Sequence, residues 1–217
     1  MFSLFLDQSF GEGVIALFRN GHVVEVLHRE MKESRHPCAL FENLLDRHGL
    51  HLDDISFLVC GVGPGSYTGI RSAAATMKAI SFVTLQPIVA SSSLSLYAPA
   101  ETGDYLIAAD AGIGGVFVQE IAITEGAFHV SCPERLEIEE FLTKVASGAK
   151  VVVKSRDWLT NKGLDTSVVF KEVPSHVSMV AKIAYRDFEA GRYFTEASLP
   201  LLYLRKTQAE IDRQSVP

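Results

Sequence analysis

The sequence predicts an α/β protein made of two duplicated lobes, each a mixed β-sheet covered by helices. Three observations predict it. Apolar strands at the start are joined by a strong hairpin signal. The same pattern returns near residue 105. Stretches with helical spacing then alternate with further short strands.

Phe2–Asp7 reads as a buried strand and Gly13–Arg19 as a second. Asn20-Gly21 joins it to a third, His22–Glu30, because both central residues of a two-residue hairpin need positive φ. From His36 to Gly49, Leu40, Phe41, Leu44 and Leu45 recur at helical spacing until the glycine stops the run. Ile55–Cys60 is a strand, Thr68 to about Thr84 a helix, Pro87–Ala90 a strand and Ser91–Tyr97 a short helix. Pro99–Gly103 reads as a boundary, which divides the chain into lobes 1–102 and 103–217.

The opening then recurs. Tyr105–Asp110 is an apolar strand ending in Asp, as Phe2–Asp7 is; Gly115–Ile123 follows, and Ala127–Ser131 with Arg135–Glu137 supplies the third strand. LFLDQSFGEGVIALF stands beside LIAADAGIGGVFVQEI. Two strands ending in Asp also arise by coincidence, since Asp is common there. Beyond them come a helix (Ile138–Ala146), a strand (Val151–Lys154), an apolar patch (Ser167–Val173) and a helix from His176 to Gly191, capped by Ser175. Duplicated lobes of this kind resemble the actin-like (ASKHA, ribonuclease H-like) fold, in which Asp-bearing hairpin loops of both lobes face the phosphates.

The 217 residues carry 20 basic and 26 acidic side chains, a net charge of −6, with no basic stripe. Phosphate neutralisation drives nucleic-acid affinity, so this chain alone is a poor RNA- or DNA-gripping protein. Cys38, Cys60 and Cys132 are odd in number and far apart, which fits a reducing cytoplasm rather than a disulfide framework or zinc ribbon. No signal-peptide pattern opens the sequence, and no run of about 18 apolar residues spans a membrane. None of the seven histidines falls in H-E-x-x-H or H-x-x-x-H spacing, and His48 and His51 read as solvated loop residues, so no metal site is expected.

The stretch CGVGPGSYTGIR, Cys60–Arg71, invites a phosphate-loop reading, but each template fails at a definite residue. A Walker A loop needs Gly-Lys, and no such pair exists here. A dinucleotide fingerprint needs a third glycine where Ser66 stands. A nucleophile elbow needs glycines around the serine, but Pro64 and Thr68 flank Ser66, and no base lies nearby in sequence. What remains is a strand-to-helix turn. Ser66 or Thr68 can cap the helix, and Gly65, Ser66 and Thr68 form a weak anion-site candidate at its N-terminus. In the helix beyond, Gly69, Ala73, Thr76, Met77 and Ile80 share one face and Ile70, Ala74 and Ser81 a neighbouring one. Small and apolar residues go nearly all round, so the helix is buried on several sides, within the lobe or by another subunit.

CGVGPGSYTGIR also resembles the G-R-G-P-G-S-[FY]-T-G-[LVI]-R signature of the TsaB (YeaZ) family. FLDQSFGEGVIALFRNGHVV is similar to that family's first hairpin, and ESRHPCALFENLLDRHGLHLDDISFL to its first helix and next strand, with a helix about one turn shorter. AADAGIGGVFVQEI holds the place of its D-A-R-x-G-E-V-Y segment, and EASLPLLYLRK resembles its A-x-P-x-Y-L-R ending. Val62 replaces the common Arg, and Gly112, Gly115 and Phe117 replace the Arg, Glu and Tyr of the D-A-R segment.

The resemblance implies an actin-like fold and a cytoplasmic scaffold, not an enzyme by itself. It implies a part in making N6-threonylcarbamoyladenosine beside the anticodon of tRNAs reading codons that begin with A. It implies pairing with the catalytic subunit TsaD and the ATPase TsaE, homodimerisation through the same helices, and tRNA contact only through the complex. Carried over, the pairing surface comprises Leu40, Phe41, Leu44, Gly69, Ala73, Ala74 and Met77. No cofactor is expected in this chain, with ATP, ADP and metal belonging to the partners or the assembled interface. The competing reading is an actin-like ATPase or small-molecule kinase using Asp7, Asp110 and the Gly61–Gly65 turn. Against it, the residues after Asp7 lack an early glycine, and Phe10 brings an apolar ring to the expected phosphate path.

Overall fold

The first hairpin has the expected turn: Asn20 has φ 49° and Gly21 φ 76°, positive at both central positions. It joins β2 (Glu12–Arg19) to β3 (His22–Glu30), and β2 pairs antiparallel with β1 (Phe2–Asp7). The structure, a computed structural model, describes residues 1–30, 36–112 and 114–204. Residues 33–35 of the first-helix match, residue 113 of the second hairpin and residues 205–206 of the terminal match lie outside these.

β4 (Ile55–Gly61) runs parallel to β1, and β5 (Ile88–Ser91) parallel to β4, giving the order β3-β2-β1-β4-β5. Parallel neighbours require crossovers. α1 (Pro37–Arg47) and α2 (Tyr67–Thr84) supply them. His36 caps α1, its ring accepting from the Cys38 amide. Leu4, Phe5 and Leu6 are all buried, so β1 reads as a continuous apolar run rather than an alternating one.

The second unit repeats the plan. β6 (Gly103–Asp110) pairs antiparallel with β7 (Gly115–Thr124), and β7 in turn pairs with both β8 (Ala127–Val130) and β9 (Glu134–Glu137), the expected split third strand. β10 (Lys150–Val153) lies parallel to β6, and β11 (Val169–Glu172) parallel to β10. The order β8-β7-β6-β10-β11 matches the first sheet strand for strand. α3 (Ile138–Ala146) and α4 (Asp157–Asn161) hold the places of α1 and α2. Phe141, Leu106, Val153 and Leu159 form the centre of this unit's core.

The units do not follow chain order. One comprises Met1–Leu96 with Ser175–Leu201, the other Tyr97–Pro174 with the residues from Leu202 onward. The helix α5 (Ser178–Glu189) therefore belongs to the first unit, and a division at residues 102 and 103 misplaces it. Phe188 stacks on Phe57 with ring centroids 4.2 Å apart, and Phe194 bridges Ile88 of β5. Ser175 is not the helix cap. Val177 holds that position, and the Ser175 hydroxyl donates to Glu12 Oε1 at 2.7 Å, tying the lead-in of α5 to β2. Gly191, with φ 70°, stops the chain just past α5 as expected.

Candidate functional site: a glycine turn filled by the first hairpin

β4 delivers the glycine turn and α2 leaves it. Ser66 is the cap, its hydroxyl accepting from the Gly69 amide at 3.4 Å. Gly63 (φ 100°) and Gly65 (φ 151°) take backbone conformations that side chains rarely adopt.

The space around the turn is occupied by the chain itself. A Cβ on Gly61 would lie 1.8 Å from Asp7 Oδ2, one on Gly65 2.5 Å from the Ser9 carbonyl oxygen, and one on Gly69 1.9 Å from the Gln8 carbonyl oxygen. The three glycines thus admit three consecutive residues of the β1–β2 loop. Asp7, Gln8 and Ser9 are each at most 3% exposed. The Ser66 amide donates to the Ser9 carbonyl at 2.7 Å. Two amides at the head of the turn and helix are therefore already bonded inside the chain, which weakens the Gly65, Ser66 and Thr68 anion site.

A third segment closes the cluster. The Ser93 hydroxyl donates to Asp7 Oδ2 at 2.5 Å, lies 2.9 Å from the Ser9 hydroxyl and accepts from the Gly63 amide at 3.1 Å. The Ser93 amide donates back to the Gly63 carbonyl at 2.9 Å. The Ser9 amide donates to Asp7 Oδ1 at 2.7 Å. Burial raises the Asp7 carboxyl above its ordinary range, Glu12 adds to this, and the bonds from Ser93 and Ser9 oppose it. Burial first, and then the neighbouring Asp7 carboxyl, push the Cys60 thiol far up against the opposing effect of Lys78, so it is no nucleophile. Ser93 is a residue that sequence reasoning missed, since it lies 86 positions from Asp7 with no motif linking them.

The other named residues fall differently. Ser66 is exposed, and no His, Asp or Glu among the described residues bonds its hydroxyl, so the nucleophile reading gains no base. Arg71 sits over the Tyr67 ring at 4.0 Å. In the second unit Asp110 is open to solvent and carries an ion pair with Lys162 Nζ at 3.0 Å, while its Oδ1 accepts from the Gly112 amide at 2.7 Å. Lys162 also donates to the Gly112 carbonyl. A Cβ on Gly115 would lie 2.5 Å from Arg135 Nε, the far end of a flexible side chain. Gly112 has φ 83°, and Phe117 is buried.

The expected pairing residues require a correction. Leu40, Phe41, Leu44, Gly69, Ala73, Ala74 and Met77 are all buried within the chain, Leu44, Ala73 and Met77 completely. They build the first unit's own core. The exposed positions of α2 are instead Tyr67, Thr68, Arg71, Ser72, Ala75, Ala79, Phe82 and Val83, followed by Leu85. Phe82, Val83 and Leu85 are 70%, 78% and 88% exposed. Beside it an apolar groove of about 370 Å³ is lined by Phe41, Leu45, Leu50, Leu52 and Ile80, with Cys38 and His51 among its other walls.

Two sheets of one topology, each opened by an Asp-ended strand and hairpin, define an actin-like (ASKHA-type) α/β protein. Solved structures share this fold. An uncharacterized protein from Pseudomonas aeruginosa with similarity to peptidase YEAZ superposes with a TM-score of 0.76 at 19% identity, covering 94% of this chain and 99% of that one. YeaZ from Pseudomonas aeruginosa gives 0.74 at 21% identity with the same coverage. A family model described as TsaD: tRNA N6-adenosine threonylcarbamoyltransferase matches residues 26–156, more than half of the chain. The chain belongs to this family. A curated relative, the tRNA threonylcarbamoyladenosine biosynthesis protein TsaB of Haemophilus influenzae, is 28% identical over 126 residues, 54% of this chain. The match covers about half of that relative's length, 52%. No helix among the described residues is long and apolar enough to cross a membrane.

Proposed function

We propose that the chain is a non-catalytic scaffold subunit of the assembly that installs N6-threonylcarbamoyl on the adenosine 3′ of the anticodon in tRNAs reading ANN codons. It pairs with a TsaD-like catalytic subunit, and a TsaE-like ATPase joins the pair. tRNA is met through the complex, and ATP, ADP and metal are handled by the partners or at the assembled interface.

The observation that carries this reading is the filled turn. Asp7, Gln8 and Ser9 sit where a phosphate loop would need open space, and Gly61, Gly65 and Gly69 exist to admit them. A glycine turn packed with the chain's own β1–β2 loop is suited to launching a helix, not to wrapping a phosphate. That helix is α2, and its outward stripe of Ala75, Ala79, Phe82 and Val83 is small at one end and aromatic at the other. Such a stripe permits close helix–helix approach with an anchoring ring.

The test uses the stripe. Phe82→Arg together with Ala79→Arg should abolish capture of the TsaD-like subunit in a pull-down. Because both positions are exposed, stability should change by no more than about 0.5 kcal/mol. Capture that survives both charges sinks the proposed surface. Calorimetry of the isolated chain with ATP and magnesium addresses the ATPase alternative: the scaffold predicts no binding heat, and binding lost on Asp7→Ala would favour the enzyme. Native mass spectrometry of the chain alone and with its partner then separates monomer, homodimer and heterodimer.

A further inference from the structure

We propose that Asp7, Ser9 and Ser93 form a proton-gated lock on the glycine turn: a neutral Asp7 holds the first hairpin, the turn and the Ser93 segment together, and its ionisation releases the turn and the start of α2.

The geometry carries this. Asp7 is 1% exposed, and it joins segments far apart in sequence through Ser93. Ser93 in turn holds the turn at both its amide and its hydroxyl, through the Gly63 carbonyl and the Gly63 amide. Ser9 holds it at a second point, through its carbonyl and the Ser66 amide. Any change at the carboxyl therefore reaches both anchors of the turn, and Ser66 is the cap of α2.

The charges around the carboxyl do not compensate it. Among the described residues no Lys or Arg pairs with Asp7. The titratable groups bearing on it are Glu12 from β2 and the Cys60 thiol from β4; Lys78 from α2 acts on that thiol. The bonds from the Ser93 hydroxyl and from the Ser9 amide and hydroxyl favour the carboxylate, but burial without a cation outweighs them. The neutral acid fits the same atoms with one bond reversed: Asp7 then donates to the Ser93 hydroxyl, whose own hydrogen is directed to the Ser9 hydroxyl. Desolvation raises the proton affinity of Asp7 in the folded chain, so the stability of the closed form is full in acid and is lost as pH rises through the folded value. The lock belongs to the fold of the first unit and stands whether or not α2 meets a partner.

The experiment is carboxyl and amide nuclear magnetic resonance of the full chain across an acid-to-neutral titration, with amide exchange measured in parallel. The Asp7 carboxyl should titrate above 3.8, and the Ser9, Gly63 and Ser66 amide shifts should follow it. Exchange protection at Gly63 and Ser66 should fall with rising pH, beyond intrinsic chemistry, by up to about tenfold per pH unit, the slope of one linked proton. Asp7→Asn should remove that fall, and Ser93→Ala should uncouple Gly63 from the Asp7 titration. A carboxyl titrating at or below 3.8 overturns the lock. So does a Gly63 shift that ignores it in the parent chain, a reading that stands even if the Asn variant does not fold.

Discussion

Gly69 lies in the first turn of α2, where alanine is ordinarily the better residue by up to about 1 kcal/mol. Here the sign reverses. The Cβ of Gly69→Ala would meet the Gln8 carbonyl oxygen at 1.9 Å, a backbone atom that cannot swing aside. Overpacking of this kind should cost about 3 kcal/mol, read as a lowered urea midpoint with an unchanged slope; an unchanged midpoint would mean the hairpin loop yields freely. The buried acid makes a second prediction. Because the folded Asp7 carboxyl holds its proton more tightly than the unfolded one, Asp7 destabilises the fold increasingly as pH rises from 3.8 through its folded value. Urea unfolding of the parent and of Asp7→Asn at a series of pH values should therefore show the variant gaining relative stability toward neutral pH. A difference that stays flat with pH removes the proton from the account. In the sequence each phosphate-loop template fails at a named residue, which leaves a strand-to-helix turn with a weak anion-site candidate at Gly65, Ser66 and Thr68. The sequence could not show what fills the turn. Gln8 and Ser93 carry no motif, and only the folded β1, β4 and β5 bring them to Gly69 and Gly63.

At the scale of the element, α2 is the informative case. Its periodicity establishes a helix, but apolar and small residues surround it, so spacing alone does not say which side faces in. Ala73, Ala74 and Met77 face the core, whereas Ala75 and Ala79, chemically the same small residues, face out. The amphipathic signal of α1 is cleaner, and there Leu40, Phe41 and Leu44 were correctly placed together, but on the core rather than on a partner. The end of α2 offers a prediction of its own. Leu85 caps the helix in the left-handed region at φ 60° and is 88% exposed, so its side chain contributes almost no burial in return for the strain. Leu85→Gly should stabilise the isolated chain by up to about 1 kcal/mol, seen as a raised melting temperature. If the same substitution also weakens capture of the TsaD-like subunit, Leu85 is retained for the partner rather than for the fold.

At the scale of the whole molecule, the duplication was legible because each strand order follows from local signals: a hairpin, then crossovers. The placement of α5 was not. Its apolar stripe would cover either sheet, and nothing in its residues names the one it chooses. The choice has a measurable consequence. α5 lies on β3 and β5, with Met179, Val180 and Ile183 buried, and Phe188 stacked on the buried Phe57. Burying side chains of this size stabilises by roughly 2 kcal/mol each, so the three buried ones together reach the lower end of the whole stability of a domain, about 5–15 kcal/mol. A fragment of residues 1–102 contains every strand of the first sheet yet lacks this cover, so it should show no cooperative thermal transition and should bind hydrophobic dye. Supplying residues 175–204 as a separate peptide should restore both cooperativity and the dispersed amide spectrum of the intact unit, since the Ser175 bond to Glu12 and the Phe194 bridge to Ile88 need only the first unit's surface. A cooperative transition from residues 1–102 alone would show that the first sheet closes its core without α5.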